Sequence, residues 1–272
     1  MSEKIIFLSH IHEESELAIL IKNAIEDEFS GFVQVFVSSD GGSIKAGDKF
    51  LNKIESALAE CIGAIYLISP ISVKRNWINF ELGAVWIRNV LSKSSGGQEI
   101  PALPICHSGL TPSKLPSPLN NLNGINCTDP VHLQFAFSSL QSAVGGRGSL
   151  KTDFAALASK AVELERIFTQ GEKLTKLFSL LGDHNLDNFC KYVESRIEHQ
   201  FAEIRVDFLT TESINTLREI EQSLDGQITY VSDGWQVVTN GKDQLTGSPV
   251  NIKISTKFFI EHKHLLKQKT NH

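Results

Sequence analysis

The feature that most constrains this chain is the alternation, over its first 140 residues, of short apolar runs with segments whose apolar residues recur at helical spacing. That grammar belongs to successive βα units, and it predicts a parallel sheet with helices packed on it. Residues 4–9 (KIIFLS), 32–37 (FVQVFV), 63–69 (GAIYLIS), 100–106 and 124–127 read as the five strands. The third is nearly all apolar, as a central strand covered on both faces must be, and Pro70 ends it. Pro101 and Pro104 predict irregular or edge pairing for the fourth. Between the strands, residues 15–29 place Leu17, Leu20, Ile21, Ala24, Ile25 and Phe29 on one helical face. A second helix starts near Asp48, its candidate cap, and carries Leu51, Ile54, Leu58 and Cys61 on one stripe. Residues 76–90 and 131–143 supply two more helices.

GGRGS at 145–149 has linker chemistry and divides the chain into 1–144 and 150–272. Beyond it the grammar changes. Residues 150–223 carry mostly helical patterns, including 189–208. From Gly226 short β-like runs (ITYV, WQVV, NIKI) are separated by Asp-Gly and Asn-Gly turn signals. The expectation is a smaller α+β domain, loosely similar to a winged-helix module in which a helix precedes a two-stranded wing. Residues 253–269 carry five lysines and one glutamate, which reads as a solvated face or as a patch that meets phosphates.

Composition narrows the function classes. With 41% hydrophobic and 21% charged residues a packed core is expected, and the net charge of −5 argues against a whole-protein nucleic-acid binder. The four cysteines form no CxxC pair and no metal-type spacing, so they read as buried free thiols in a reducing compartment. His10 and His12 have no third ligand at a known metal spacing. The Gly-Gly pairs at 41–42 and 96–97 lack a phosphate-cradle context and read as turns. The start of the chain has only four consecutive apolar residues, and no run approaches the roughly 20 that a membrane span needs. A soluble, cytoplasmic protein is expected.

Five βα units in this span fit a flavodoxin-like sheet of order 2-1-3-4-5, whose ligands bind beyond the carboxyl ends of strands 1 and 3. That directs attention to Ser9, His10 and Ile11 after strand 1, and to 70–81, with Trp77 and Glu81, after strand 3. Taken alone, a glutamate on an amphipathic helix is ordinarily solvated surface, and a tryptophan there ordinarily packs at a helix start.

Three segments also carry a family resemblance. FLSH at 7–10 followed by acidic residues, VSSDGGSIKAGDKFLNKI at 37–54, and LISPISVKRNWINFEL at 67–82 resemble, in order and distance, the opening strand, mobile loop and Trp–spacer–Glu segment of bacterial Toll/interleukin-receptor (TIR) domains. The resemblance implies that Glu81 is the catalytic residue of an enzyme cleaving the nicotinamide–ribose bond of NAD⁺. It implies that Ser9, His10 and Trp77 line the nucleotide pocket, and that Asp40, Lys45 and the loop through Gly47 gate it and join neighbouring subunits. NAD⁺ enters as substrate and no cofactor is expected. It further implies self-association through the TIR domain and, by analogy with anti-phage effectors, a C-terminal half that senses an unknown trigger, a nucleic acid or nucleotide among the candidates. The chemistry is self-consistent: nicotinamide departs neutral, so one carboxylate near the ribose suffices to stabilise the oxocarbenium charge. An aromatic such as Trp77 can stack on a ring and exclude water. Ala46-Gly47 stands where adaptor members often have Pro-Gly. Two rivals remain: a non-catalytic interaction adaptor, and a nucleoside-processing transferase of related fold.

Overall fold

The computed structural model describes residues 4–38, 50–182, 186–240 and 243–267. The apolar runs of the first half become β1 (Lys4–Ser9), β2 (Val33–Val37), β3 (Gly63–Ile68), β4 (Ala102–Cys106) and β5 (Ile125–Asn126). They pair in parallel in the order β2-β1-β3-β4-β5, the flavodoxin-like arrangement expected. Connecting them are α1 (Ser15–Glu28), α2 (Phe50–Glu60), α3 (Asn76–Ser94) and α4 (Pro130–Val144).

Because successive strand side chains point to opposite faces, each strand feeds two cores. Ile6 and Leu8 of β1 and Ile65 and Leu67 of β3 join Leu17, Ile21 and Ile25 of α1 and Leu133, Phe137 and Leu140 of α4. Phe7 of β1 and Ala64, Tyr66 and Ile68 of β3 join Ile54 and Leu58 of α2 and Ile78, Leu82 and Val85 of α3. At roughly 2 kcal/mol for each large aliphatic side chain so buried, the two-sided burial of β3 is a main support of the sheet. Asp129 caps α4 by accepting from the backbone N–H groups of Val131 and His132, with Pro130 in the first turn. Gly145 ends α4 in the left-handed conformation at φ 76°, where a side chain would be strained.

Several expectations differ from what is observed. Leu51 is exposed, and Ala57 takes its place on the buried stripe of α2. The helix read as 76–90 runs on to Ser94. β4 is an inner strand rather than an edge; Pro101 precedes it, and Pro104 is tolerated within it because β5 reaches only Ile105 and Cys106. Asp48, the candidate cap of α2, lies outside the described residues.

The chain forms two compact units, Met1–Arg166 and Ile167–His272. The division falls within the long helix α5 (Phe154–Leu181) rather than at the glycine-rich 145–149. Leu157, Ala158 and Ala161 of its first turns lie in the first unit's core, and Glu28 holds the preceding segment by accepting from the backbone N–H groups of Lys151 and Thr152.

The second unit continues with α6 (Leu186–Glu194), β6 (Phe201–Thr210), α7 (Thr211–Ser223), β7 (Ile228–Ser232), β8 (Gln236–Asn240), β9 (Asp243–Ser255) and α8 (Thr256–Lys267). It is an α+β unit with an antiparallel four-stranded sheet, in which β9 pairs with β6, β7 and β8. The strand-turn-strand expected over 228–241 is not a hairpin: β7 and β8 each pair with β9, as does β6, so the sheet is larger than a wing. β6 corrects the helical reading of 189–208: FAEIRVDFLT alternates, and its strand pairing with β9 overrides the ambiguous spacing. Over its described residues the lysine-rich segment is a solvated face on ordered elements, with Lys253 and Lys257 exposed. Residues 253–255 close β9, and α8 buries Phe258, Phe259, His262 and Leu266.

Candidate active site at the carboxyl edge of the parallel sheet

The alternation that builds the cores also positions the site. Ser9 follows Phe7 by two residues and so faces the α2/α3 side, at the carboxyl end of β1 and opposite Tyr66 of β3. On α3, Glu81 occupies a core position, since Ile78, Glu81, Leu82 and Val85 are the buried residues of that helix. Strand end and helix stripe therefore converge, and the Ser9 hydroxyl donates to Oε2 of Glu81, whose side chain is fully buried. The Tyr66 hydroxyl donates to the Glu81 backbone carbonyl at 3.4 Å, tying the same turn of α3 to the central strand.

Burial dominates the electrostatics. Removing the carboxylate from water raises the Glu81 pKa from 4.5 to about 7, and hydrogen bonding from Ser9 and then Trp77 acts in the opposite direction. Oε1 of Glu81 makes no hydrogen bond of standard geometry among the described residues. One oxygen is thus oriented by serine, and the other is left to meet a hydroxyl or a positive charge brought to it.

Trp77 lies one turn before Glu81, is 43% exposed, and stacks on Phe80 with ring centroids 5.0 Å apart. An aromatic pair half open to solvent presents the flat apolar surface that a heterocyclic ring would cover. His10 is buried immediately after β1. The loop between β3 and α3 is shaped by two serines: Ser72 Oγ accepts from the Ser69 backbone N–H at 2.8 Å, and Ser69 Oγ accepts from the N–H groups of Ile71 and Ser72 at 3.2 and 3.1 Å. Arg88, two turns beyond Glu81, donates to the carbonyls of Leu58 and Cys61 and so fastens α3 to the end of α2.

A family model described as TIR domain matches residues 6–139. Residues 6–139 are a TIR domain. No curated protein matches the chain. Among solved structures the chain is similar to a metazoan TIR-STING receptor from C. gigas at 19% identity and a TM-score of 0.35, covering 53% of this chain and 41% of that one. The same receptor in complex with 2′,3′-cGAMP gives 14% identity and a TM-score of 0.38, covering 98% of this chain and 85% of that one. The chain thus spans about two fifths of the first of these structures.

Of the TIR site residues expected from sequence, Ser9, His10, Trp77 and Glu81 come together at the carboxyl edge, while Asp40 and Lys45 lie outside the described residues. Sequence reasoning missed a second buried pair in the TIR domain. Nε2 of His107, the residue after β4, lies 3.1 Å from Oε1 of Glu14, and both side chains are almost wholly excluded from solvent. The rule that points to strand ends applies to β4 as much as to β1 and β3, and it was the available signal for His107. Glu14 was visible only as one of several acidic residues after FLSH. Among the described residues, no cluster of three or more His, Cys, Asp or Glu is arranged to hold a metal, and no helix is long and apolar enough to cross a membrane.

Proposed function

We propose that this protein is an NAD⁺ glycohydrolase that cleaves the nicotinamide–ribose bond, with Glu81 as the catalytic residue. The observation that carries the reading is a fully buried carboxylate, oriented by Ser9, beside a half-exposed tryptophan at the ligand-binding edge of a TIR domain. As the bond to nicotinamide lengthens, positive charge develops on the ribose, and an ionised Glu81 in a water-poor setting stabilises it strongly. Nicotinamide leaves neutral, so no acid is required. Capture of the cation by water yields ADP-ribose, and capture by an internal nucleophile yields a cyclic isomer. His10 and Trp77 contribute the walls of the nucleotide pocket. Asp40 and Lys45 belong to the loop that completes it, in an assembly of TIR domains. The second unit, in this reading, responds to a trigger, as in effector–sensor proteins of anti-phage defence.

A non-catalytic adaptor role has one observation in its favour. Phe80, Ile87 and Leu91 follow one another at helical spacing on the outer side of α3 and are exposed, as are Trp86 and Val90. One assay separates the two: NAD⁺ consumption with product identification, on concentrated wild-type protein and Glu81→Gln. Turnover by the wild type alone establishes the enzyme, whereas no turnover by either at any concentration favours the adaptor.

A further inference from the structure

The buried pair Glu14–His107 has no part in the chemistry described above, and it is a conspicuous thing to bury. Two ionisable groups removed from water oppose folding unless each meets a partner of good geometry. Here the two side chains meet at ion-pair distance, although Oε1 of Glu14 and Nε2 of His107 do not form a hydrogen bond of standard geometry. Glu14 Oε2 accepts from the backbone N–H of Ile11 at 3.1 Å, and its Oε1 faces Nε2 of His107 at 3.1 Å. Nδ1 of His107 lies 3.0 Å from the Ser108 hydroxyl, which can donate to it or accept from it. The His107 backbone N–H donates to the Ile68 carbonyl at 3.0 Å. In the sheet order β1 and β4 are separated by β3, so the pair spans the end of the central strand, a gap of roughly 10 Å between the outer strands.

The segment so held is short. Ser9 is fixed at one end by Glu81 and Ile11 at the other by Glu14, with only His10 between them. Resting on the NAD⁺-cleaving reading of the site, we infer that Glu14 and His107 are positioning residues. They strap the turn after β1 across the end of β3, and through that turn they hold the Ser9 hydroxyl on the Glu81 carboxylate. Neither touches the substrate. They act through Ser9, so their effect on turnover must disappear when Ser9 can no longer orient Glu81.

That requirement defines the experiment, performed on the full chain with Glu14→Ala, Glu14→Gln, His107→Ala, Ser9→Ala and the double variant Ser9→Ala/Glu14→Ala. Displacing a catalytic group by about an ångström costs on the order of 100-fold. Glu14→Ala, His107→Ala and Ser9→Ala are each expected to lower kcat by about 10- to 100-fold, with KM changed less than about threefold. The double variant should be no slower than Ser9→Ala. Glu14→Gln should recover most of the loss, because its amide oxygen still accepts from Ile11 and its NH2 can donate to Nε2 when the His107 ring carries its proton on Nδ1, facing the Ser108 hydroxyl. If Glu14→Ala slows the Ser9→Ala background by its full factor, the pair is only structural and the inference fails.

A second readout needs no turnover. In a carboxyl-carbon NMR titration, Glu81 of Ser9→Ala should titrate higher than wild type, because the hydrogen bond that favours its ionised form is gone. Glu14→Ala should move it the same way, and an unmoved midpoint overturns the inference. If the wild type consumes no NAD⁺, the glycohydrolase reading falls, and the titration still decides whether the strap governs Ser9. Should Glu14→Ala not fold, His107→Gln is judged by the same titration.

Discussion

The two units of this chain bury polar groups in different ways. In the first, among the described residues, the buried polar side chains are Ser9, His10, Glu14, Ser38, Ser69, Ser72, Glu81 and His107. All lie at or just beyond the carboxyl ends of β1 to β4, or on the helix turn facing them. In the second they are Ser248, Thr256 and His262, on β9 and α8, beside a core of apolar side chains from α5 to α8 and the antiparallel sheet. Burying a polar group opposes folding unless it is matched, and burying a carboxylate does so most. A concentration of such groups along one edge therefore marks a place where the fold gives up stability for chemistry. Among its described residues the second unit shows no such edge.

The largest effect expected is on catalysis. Glu81→Gln keeps the shape and removes the charge, and the loss of NAD⁺ turnover should reach about 1,000-fold or more, by analogy with removing a group aimed at developing charge. Turnover within tenfold of wild type would break the contrast at its centre.

The second prediction probes the other unit. Phe259 is fully buried, meets Phe189 edge-on with centroids 5.0 Å apart, and lies 5.8 Å from Phe178. Phe259→Ala should destabilise the protein by about 3–5 kcal/mol in urea unfolding. A loss under about 1 kcal/mol would mean that the second core is loose, and that the difference between the units is not one of packing against chemistry.

Glu81 also supplies a stability test whose sign follows from linkage. Its pKa is raised in the folded protein, from 4.5 to about 7, so between those values the native state holds a proton that the unfolded chain releases. Stability then falls as pH rises through that window, and the difference, on the order of 3 kcal/mol, is complete above pH 7. Glu81→Gln should match the wild type near pH 4.5 and become the more stable protein by pH 8. Wild-type turnover should rise through about pH 7 as the carboxylate ionises. A variant that loses activity without gaining stability at pH 8 would show that Glu81 is better accommodated than its burial implies.

How far the sequence discloses all this follows the same division. The five strands and their order were legible because each βα unit carries its own periodicity, and the rule about carboxyl ends led to Ser9 and His10. Glu81 was legible only through the resemblance of the Trp–spacer–Glu segment, because its place on the buried stripe of Ile78, Leu82 and Val85 emerges with the structure. Glu14 and His107 were not, because 93 positions and the whole of β3 separate them and only the sheet order brings them together. In the second unit the reading of β6 failed because Phe201, Ile204 and Phe208 fit a helical spacing, while Ala202, Ile204, Val206 and Phe208 alternate as a strand. In 253–269 the lysines disclosed a solvated face and hid the buried stripe of Phe258, Phe259, His262 and Leu266. Antiparallel pairing between β6 and β9, some 40 or more residues apart, is a tertiary fact with little local trace.

The smallest effect is the sharpest check on where charge matters. Lys253 and Glu203 are directly opposite on β9 and β6, with 3.1 Å between Nζ and Oε1, and each is about half exposed. The Lys253 ammonium beside it, with help from Asn251, holds the Glu203 carboxyl below its usual value. In water such a pair gains little, because solvent screens the attraction and two long side chains lose freedom in meeting. Lys253→Ala should therefore cost less than about 1 kcal/mol, and about 0.5 M salt should erase most of the difference from wild type. Glu14–His107 has a similar separation but is shielded from solvent, so its loss in His107→Ala should persist at the same salt concentration. If the two pairs respond alike to salt, the exposed and buried pairs are not in different surroundings, and the contrast between the units loses its electrostatic basis.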